Sequence, residues 1–260
     1  MRHLKELGQN FLTAPAIAAE IAALGKLVPG DNVLEIGVGE GILTDAILTY
    51  GVELTAYELD QRLEASLADK YQNQVRIIFQ DALKADWMND LFVESASIKL
   101  IANIPYQITS PLLARLENHA ERFEIIVLML QKEVAERLTA QPGTKSYGAL
   151  TLRMNLKFNV RMAFMVGKEN FEPVPKVDSA VIVMSPRTFP VDIDDPARFY
   201  NLIIRAFAHR RKTLRNNLLP YYQSGLLDKA QAHSGINLSR RAETLNEKEF
   251  ISLSNCLNRA

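Results

Sequence analysis

Hydrophobic positions in the first half of the chain follow two alternating patterns. Some positions recur at helical spacing, which predicts helices over 42–50, over about 60–70, after 110 and over 131–139. Between them lie short apolar runs typical of buried strands, at 33–36, 52–57, 75–79, 98–102 and 123–130. Strands that alternate with helices in this order predict an α/β fold with a mostly parallel sheet.

The pattern changes after residue 186. Residues 187–196 are rich in proline and aspartate, which is typical of a linker. Beyond them the apolar positions fit helices only, at 196–209, 212–222, 226–232 and 246–258. We therefore predict two domains, an α/β domain over residues 1–186 and a small all-α domain over residues 187–260.

Composition narrows the class of protein. The 260 residues are 48% hydrophobic and 23% charged, with one cysteine, which excludes disordered, collagen-like and disulfide-scaffold proteins. The longest apolar run, 125–130, is far shorter than the ~20 residues of a membrane-spanning helix. The first residues also lack the apolar core of a signal peptide. We expect a cytoplasmic protein with no membrane partner, and a monomer.

Charge is unevenly distributed although the chain as a whole is neutral. Residues 1–186 carry 18 basic and 23 acidic side chains, net −5, whereas residues 187–260 carry 12 basic and 7 acidic ones, net +5. A basic C-terminal part suggests a polyanionic partner, although solvated helical faces would give similar counts.

A glycine-rich turn follows the first predicted strand of the sheet. Gly37, Gly39 and Gly41 are spaced G-x-G-x-G, and the next two strands end at Glu58 and at Asp81. Glycines allow a sharp turn and close backbone approach to a ligand. The Glu58 carboxylate can accept both ribose hydroxyls, and Asp81 can accept an adenine amino group. The arrangement suits a nucleoside such as NAD or S-adenosylmethionine, while the simpler alternative is a tight strand-to-helix connection.

The segment Asn103-Ile104-Pro105-Tyr106 directly follows the fourth strand. Pro105 restricts its own φ and favours an extended Ile104, so the turn can aim the Asn103 amide oxygen and the Ile104 carbonyl at one point. Two acceptors match the two N–H donors of an exocyclic amine, and Tyr106 offers a face on which a base can stack. A structural loop with a core tyrosine is the alternative.

The tetrapeptide resembles the Asn-Pro-Pro-Tyr motif of amino-directed adenine methyltransferases. Nearly the whole chain is similar to the ribosomal RNA adenine N6,N6-dimethyltransferase family, specifically its small-subunit (16S rRNA) branch. The segments that carry this resemblance, in order, are 8–12, 33–44, 103–113, 130–134, 171–179 and 207–216. The sequence departs from the family pattern at Val38, where proline is usual, at Ile104, where leucine is common, and at Gln107, where asparagine is common.

The resemblance implies a Rossmann-like methyltransferase domain, S-adenosyl-L-methionine as cofactor and 16S rRNA within a small-subunit assembly particle as substrate. It implies dimethylation of two adjacent adenosines in a hairpin loop near the 3′ end. The cofactor-binding residues it implies are Asn10, Leu12, Gly37, Gly39, Glu58, Leu59, Asp81, Ala82 and Asn103. The implied catalytic residues are Asn103, Ile104, Pro105 and Tyr106, with Phe171 as a candidate second stacking surface or, alternatively, a core aromatic.

Basic residues are the candidates for RNA contact; the alternative for those in 205–215 is a solvated helix face, and the alternative for Lys145 is a mobile loop. They are Lys145, Arg210, Arg211, Lys212 and Arg215.

The four histidines and the one cysteine show no metal-ligand spacing, so we predict no metal. Two competing functions are a large-subunit RNA methyltransferase that confers antibiotic resistance, and a nucleic-acid-binding factor that keeps the fold without needing catalysis.

Overall fold

The computed structural model describes residues 10–91, 97–188 and 192–259. Its residues form two compact units. The first comprises the residues up to Ala135 together with Phe158–Pro186, and the second comprises Glu136–Lys157 together with the residues from Arg187 onward. Gly8 and Gln9, in the first of the matching segments, and Pro190, in the expected linker, lie outside the described residues.

A seven-stranded sheet forms the centre of the first unit, in the order β4-β3-β2-β5-β6-β9-β7. The first five strands in this order are parallel to one another, and β9 and β7 are antiparallel to their neighbours, which confirms the expected mostly parallel sheet. The strands are β2 (Asn32–Ile36), β3 (Glu53–Glu58), β4 (Val75–Phe79), β5 (Ile98–Asn103), β6 (Phe123–Gln131), β7 (Phe158–Val166) and β9 (Ser179–Pro186). The short strands β1 (Phe11–Leu12) and β8 (Phe171–Glu172) form a separate antiparallel pair.

The apolar runs that lie inside the sheet form strands that are buried along almost their whole length, whereas in the edge strand β4 only Val75 is buried. Nearly every side chain of β5, β6 and β9 is buried, because these strands lie inside the sheet. The edge strand β7 alternates instead and leaves several side chains partly exposed. The connecting helices of this unit are α1 (Pro15–Leu24), α2 (Ile42–Leu48), α3 (Glu64–Tyr71), α4 (Trp87–Asp90) and α5 (Thr109–Asn118).

The strand order reverses between β2 and β5. The chain proceeds from β2 through β3 to β4 on one side, and β5 then returns to pair with β2 on the other side. In parallel register, Ile36 pairs with Tyr57, Glu58 with Phe79, and Asn103 with Met129. The carboxyl ends of these strands therefore lie along one edge of the sheet, where ligands of open α/β sheets bind.

The second unit is helical in its described part. Its helices are the end of α6 (Lys132–Leu138), then α7 (Ala149–Lys157), α8 (Pro196–Ala206), α9 (Leu214–Leu218), α10 (Ser224–Ser234) and α11 (Glu247–Arg259). The predicted division of the chain needs one correction, because residues 136–157 belong to this unit and not to the α/β unit. Tyr147, Leu152 and Leu156 are buried in the same apolar cluster as Phe199 and Phe250. Residues 136–157 belong to the helical unit because they pack against residues that are distant in the sequence. Hydrophobic spacing predicts the type of local element but not its distant packing partners.

One cation is buried near the beginning of β5. The Lys99 side chain is 5% exposed, and its ammonium group donates at 2.8 Å to both the Asp31 carboxylate and the Lys26 carbonyl. Burial by itself would raise the pKa of Asp31, but the Lys99 ammonium and the Val28 N–H hold it below its usual value. A desolvated lysine needs these partners, so the pair fixes the loop that enters β2 against β5.

We expect Asp31→Ala to lower the free energy of unfolding by about 1–3 kcal/mol at neutral pH, because it leaves the buried Lys99 ammonium with weaker partners. Since the folded-state pKa of Asp31 is lowered, its contribution is present above the unfolded pKa and is lost as pH falls through the folded one. In urea denaturation, the difference in free energy of unfolding between Asp31→Ala and the parent protein should become smaller below about pH 4. Lys84→Ala, which removes an 81% exposed side chain 3.8 Å from Asp81, is the control and should leave the urea midpoint unchanged.

Candidate active site at the carboxyl ends of the strands

The glycine turn between β2 and α2 has a left-handed backbone at each of its three glycines. A Cβ on Gly39 would lie 2.8 Å from the Phe11 ring, and one on Gly41 would lie 1.9 Å from the Tyr71 hydroxyl. The Tyr71 hydroxyl lies 2.9 Å from the Gly41 carbonyl and 2.8 Å from an Asp45 carboxylate oxygen, both of which can accept its proton. Both the backbone conformation and the available space therefore require glycine at these positions.

Glu58 holds the turn from the neighbouring strand. Its carboxylate is 5% exposed and accepts hydrogen bonds from the Gly39 N–H at 2.9 Å and from the Asp60 N–H at 2.8 Å. Each carboxylate oxygen accepts one main-chain N–H and retains acceptor capacity. Glu58 thus joins the ends of β2 and β3 and still presents acceptor lone pairs.

The third strand end contributes Asp81 and Ala82. One Asp81 carboxylate oxygen accepts the Leu83 N–H at 2.9 Å, and the Asp81 carbonyl accepts the N–H groups of Lys84 and Ala85. Ala82 is buried, whereas Leu59 on the adjacent strand end is 52% exposed. These contacts form a compact turn with its aspartate at the rim.

The turn after β5 lies directly beside the glycine turn. A Cβ on Gly37 would be 3.8 Å from the Asn103 carbonyl and 3.9 Å from Pro105. The Asn103 amide nitrogen donates to the Asn10 carbonyl at 3.5 Å, and the Ile104 N–H donates to the Met129 carbonyl at 3.0 Å. Because the Asn103 nitrogen is directed toward Asn10, its amide oxygen is directed elsewhere, as an acceptor for a substrate amine requires.

Two aromatic side chains near this turn differ in availability. Tyr106 is partly exposed, and its hydroxyl lies 2.9 Å from the Ser179 hydroxyl, which fixes the ring orientation. Phe171 is 3% exposed and belongs to the apolar core, with its strand paired to Phe11 and Leu12. Tyr106 therefore has a face available for stacking. Phe171 forms part of the cavity wall, and its stacking role stays a prediction.

One open cavity brings together all the cofactor and catalytic candidates of the sequence. Its walls include Asn10, Leu12, Gly37, Gly39, Glu58, Leu59, Asp81, Ala82, Asn103, Ile104, Pro105, Tyr106 and Phe171. The sequence reasoning missed several lining residues, among them Phe11, Ile36, Tyr57, Gln80 and Ile108. Phe11 and Gln80 directly neighbour predicted residues in the sequence, and that adjacency could have identified them.

Val38 shows how the turn forms without the usual proline. Its side chain is 5% exposed and belongs to the apolar core, and its carbonyl accepts the Gly41 N–H at 3.0 Å. Packing and this hydrogen bond close the turn, so a fixed φ is not needed here.

Glu35 lies within β2, just before the glycine turn, and is fully buried. Burial raises its pKa to about 8, and the nearby Glu58 and Asp45 carboxylates act in the same direction, while the Thr44 hydroxyl, donating at 2.7 Å, opposes them. In the described part of the chain its other oxygen has no hydrogen-bond partner. The raised pKa favours the protonated form of the Glu35 carboxyl.

Within the second unit, the RNA-contact candidates lie in two kinds of environment. Arg210 donates to the Lys145 carbonyl at 2.6 Å, which brings these two candidates together, and Arg211 and Lys212 are exposed beside them. Arg215 is instead paired with Asp228 at 2.7 Å and donates to Ser224 at 2.8 Å. Lys145, Arg210, Arg211 and Lys212 thus form an exposed basic cluster. Arg215 instead forms an ion pair within the second unit.

Two further features concern residues 10–91, 97–188 and 192–259. In these ranges no group of three or more His, Cys, Asp or Glu side chains could hold a metal ion. In the same ranges no helix has both the length and the apolar character needed to span a membrane.

Residues 2–259 match a family model described as ribosomal RNA adenine dimethylase. Curated relatives named ribosomal RNA small subunit methyltransferase A are similar over nearly the whole chain. The protein from Lactobacillus delbrueckii subsp. bulgaricus is 40% identical, over 97% of this chain and 90% of that one. The protein from Ligilactobacillus salivarius is 42% identical, over 97% of this chain and 89% of that one.

Solved structures of RNA-modifying enzymes share the architecture. A dimethyladenosine transferase from Plasmodium falciparum superposes with a TM-score of 0.78 at 26% identity, covering 96% of this chain and 98% of that one. The 23S rRNA methyltransferase ErmE superposes with a TM-score of 0.72 at 26% identity, covering 96% and 100%. Both matches extend over nearly the full length of the chains compared.

The buried Glu35 carboxyl predicts a specific pH dependence of stability. Since its folded-state pKa is raised, the stability it contributes is full below the unfolded value of 4.5 and is lost as pH rises to about 8. Relative to Glu35→Gln, the parent protein should lose free energy of unfolding across this window, by at most ~1.4 kcal/mol per pH unit. Urea denaturation of both proteins through the window measures this difference.

Glu40→Gln is the matched control, because Glu40 lies in the same turn but is exposed. Its stability should run parallel to that of the parent protein across the same pH range. Parallel curves for Glu35→Gln and the parent protein would show instead that Glu35 is ionised in the folded state.

Proposed function

The chain belongs to the ribosomal RNA adenine dimethylase family, and from this premise we propose that it dimethylates N6 of two adjacent adenosines in a hairpin loop near the 3′ end of 16S rRNA. The enzyme is a ribosomal RNA adenine dimethyltransferase, and S-adenosyl-L-methionine is the proposed methyl donor. Its relatives at about 40% identity are named for the small ribosomal subunit, which supports 16S rRNA and small-subunit biogenesis as the context.

The donor groups of the cavity fit this cofactor. Glu58 has acceptor capacity beyond its two main-chain hydrogen bonds and would hold the ribose hydroxyls. Asp81, at the next strand end, would accept the adenine amino group, with Ala82 and Leu59 beside the ring. Gly37 would let the ligand approach the main chain, Gly39 would line the cavity beside it, and Asn10 and Leu12 would cover it.

S-Adenosylmethionine, when bound, supplies an electrophilic methyl group. The chain's own contribution is to place the target nitrogen. Asn103 Oδ1 and the Ile104 carbonyl would accept the two N–H groups of the adenine amine, and Tyr106 would stack on the base, which must leave its own stack to enter the cavity. These two acceptors favour a pyramidal nitrogen whose lone pair is less delocalised into the ring.

Proton removal requires no strong base beside the 103–106 turn. The nitrogen becomes acidic once it is alkylated, so its proton can then pass to solvent. Rate enhancement would therefore come from orientation and from fixed hydrogen-bond acceptors. Pro105 contributes through its restricted φ, which is −55° here, and with its ψ of 129° the residue is extended.

RNA binding is assigned to the exposed basic cluster, defined as Lys145, Arg210, Arg211 and Lys212. Basic side chains that neutralise phosphates release counterions, which gives an affinity that falls with salt. Arg215 would contribute less, because Asp228 already neutralises part of its charge.

The single observation that carries the proposal is the cavity in which Glu58, Asp81 and the 103–106 turn meet. These residues argue against a factor that binds nucleic acid without catalysis. The direct test is incubation with labelled S-adenosylmethionine and either immature 30S particles or 23S rRNA, followed by mapping of the modified base. Label in two adjacent adenosines of 16S rRNA supports the proposal, whereas label only in 23S rRNA supports the large-subunit alternative.

We expect Asn103→Ala to abolish methyl transfer, because it removes one of the two acceptors for the target amine. Cofactor affinity should stay within roughly tenfold of the parent protein, since one lost hydrogen bond changes binding by about 1 kcal/mol. Transfer assays and calorimetric titration of S-adenosylhomocysteine measure the two effects separately. Asn159→Ala, exposed on β7 and away from the cavity, is the control, and parental turnover in Asn103→Ala would exclude the assigned role.

Replacing both Arg211 and Lys212 by alanine should weaken RNA binding and flatten its dependence on log salt by about one unit per lost phosphate contact. Binding is measured on 16S rRNA fragments at several salt concentrations. The matched control replaces Lys229 and Lys248, two exposed lysines elsewhere in the second unit. An unchanged slope in the first variant would identify the basic cluster as a solvated surface.

A further inference from the structure

Arg115 lies within α5, the helix that begins directly after the turn at 103–108. Its guanidinium reaches the turn that follows β4, where Nη1 donates to the Leu83 carbonyl at 2.5 Å and Nη2 donates to the Ala85 carbonyl. One planar side chain thus bridges two main-chain carbonyls of the turn that begins at Asp81.

That turn is built around Asp81. The Leu83 N–H donates to the Asp81 carboxylate at 2.9 Å, and the Ala85 N–H donates to the Asp81 carbonyl at 3.0 Å. Three residues bond Asp81 through their N–H groups, and two of them, Leu83 and Ala85, also bond Arg115 through their carbonyls. A displacement of Leu83 would disturb its hydrogen bond to the Asp81 carboxylate, and a displacement of Ala85 would disturb its hydrogen bond to the Asp81 carbonyl.

The guanidinium is itself held rigidly. Its Cζ lies 4.2 Å from the centre of the Trp87 ring, and Trp87 is 1% exposed. Burial lowers the pKa of Arg115, while the nearby Tyr57, Asp86 and Asp81 act against that shift. A guanidinium remains charged in such surroundings, so its hydrogen bonds persist across the working pH range.

Discrimination between purines depends on how firmly the acceptor is fixed. A carboxylate held in place accepts a hydrogen bond from a 6-amino group, but it faces the lone pairs of a 6-oxo group and repels them. If the acceptor can move aside, the 6-oxo ligand loses much less affinity.

We propose that Arg115 is a positioning residue for adenine recognition, which fixes the Asp81–Ala85 turn so that the cofactor site selects a 6-amino over a 6-oxo purine. This inference rests on the proposed cofactor site. It also links α5, which carries the substrate turn at its beginning, to the adenine end of the same cavity.

The test is calorimetric titration with S-adenosylhomocysteine and S-inosylhomocysteine, which differ at this purine position. The parent protein should prefer the adenosyl ligand by roughly 10- to 100-fold. Arg115→Met keeps an apolar stem near Trp87 but has no donors, and its preference should fall to within about threefold. Arg115→Lys keeps the charge and can reach one carbonyl, so it should restore part of the preference.

Arg76→Met is the matched control, because Arg76 also donates to a main-chain carbonyl, that of Asp90 at 2.9 Å, but neither residue lines the cavity. It should keep the parental preference. Each preference is the ratio of the two dissociation constants of one variant. A smaller folded fraction changes both constants by the same factor, so the ratio stays the same.

The titrations distinguish failure of the Arg115 role from failure of the proposed adenine site. If Arg115→Met keeps the parental ratio, or weakens both ligands equally, the positioning role is overturned while the proposed function stands. If the parent protein binds neither ligand, or binds both equally, the proposed adenine site itself is wrong.

Discussion

The Glu58 carboxylate accepts main-chain hydrogen bonds from Gly39 and Asp60, and the geometry of the cavity depends on this pairing. A buried carboxylate requires donors, and the left-handed glycine turn supplies one of them. The turn in turn requires that Gly39 and Gly41 lack side chains, because Phe11 and Tyr71 occupy the space that a Cβ would need. One set of contacts thereby holds together the end of β3, the glycine turn and the segment that contains Phe11.

Polar groups at the other strand ends follow the same principle. The Asn103 amide nitrogen is engaged by the Asn10 carbonyl, and an Asp81 oxygen by the Leu83 N–H, so each presents a defined acceptor surface. Acceptors fixed before a ligand arrives need little reorganisation during a reaction. This arrangement suits the proposed transfer, which would depend on placing an amine.

Much of the fold and most of the cavity wall were predictable from the sequence. The five predicted strands are present, and the apolar runs of β2, β5 and β6 reflect burial on both faces. Glu58 and Asn103 were identified because each ends a strand, and Asp81 because it closely follows one, and parallel strands end at one edge of the sheet. The segment 136–157 was assigned to the wrong unit, since its burial depends on Phe199 and Phe250, distant in sequence. The roles of the individual side chains toward ligands stay predictions.

The sequence by itself determined the alternation of strands and helices from β2 to β6, the glycine-rich turn, and the acidic and amide residues at or just after the strand ends, but it did not give α1, α7, β7 or β9. These features are local, because they depend on side-chain periodicity and on backbone conformations that few residues adopt. Only the tertiary structure decided that Phe11 packs on Gly39, that Glu35 is a buried acid, and that Arg115 bridges to the turn after β4. Each of these depends on contacts between segments brought together by folding, and residue spacing carries no record of such distances.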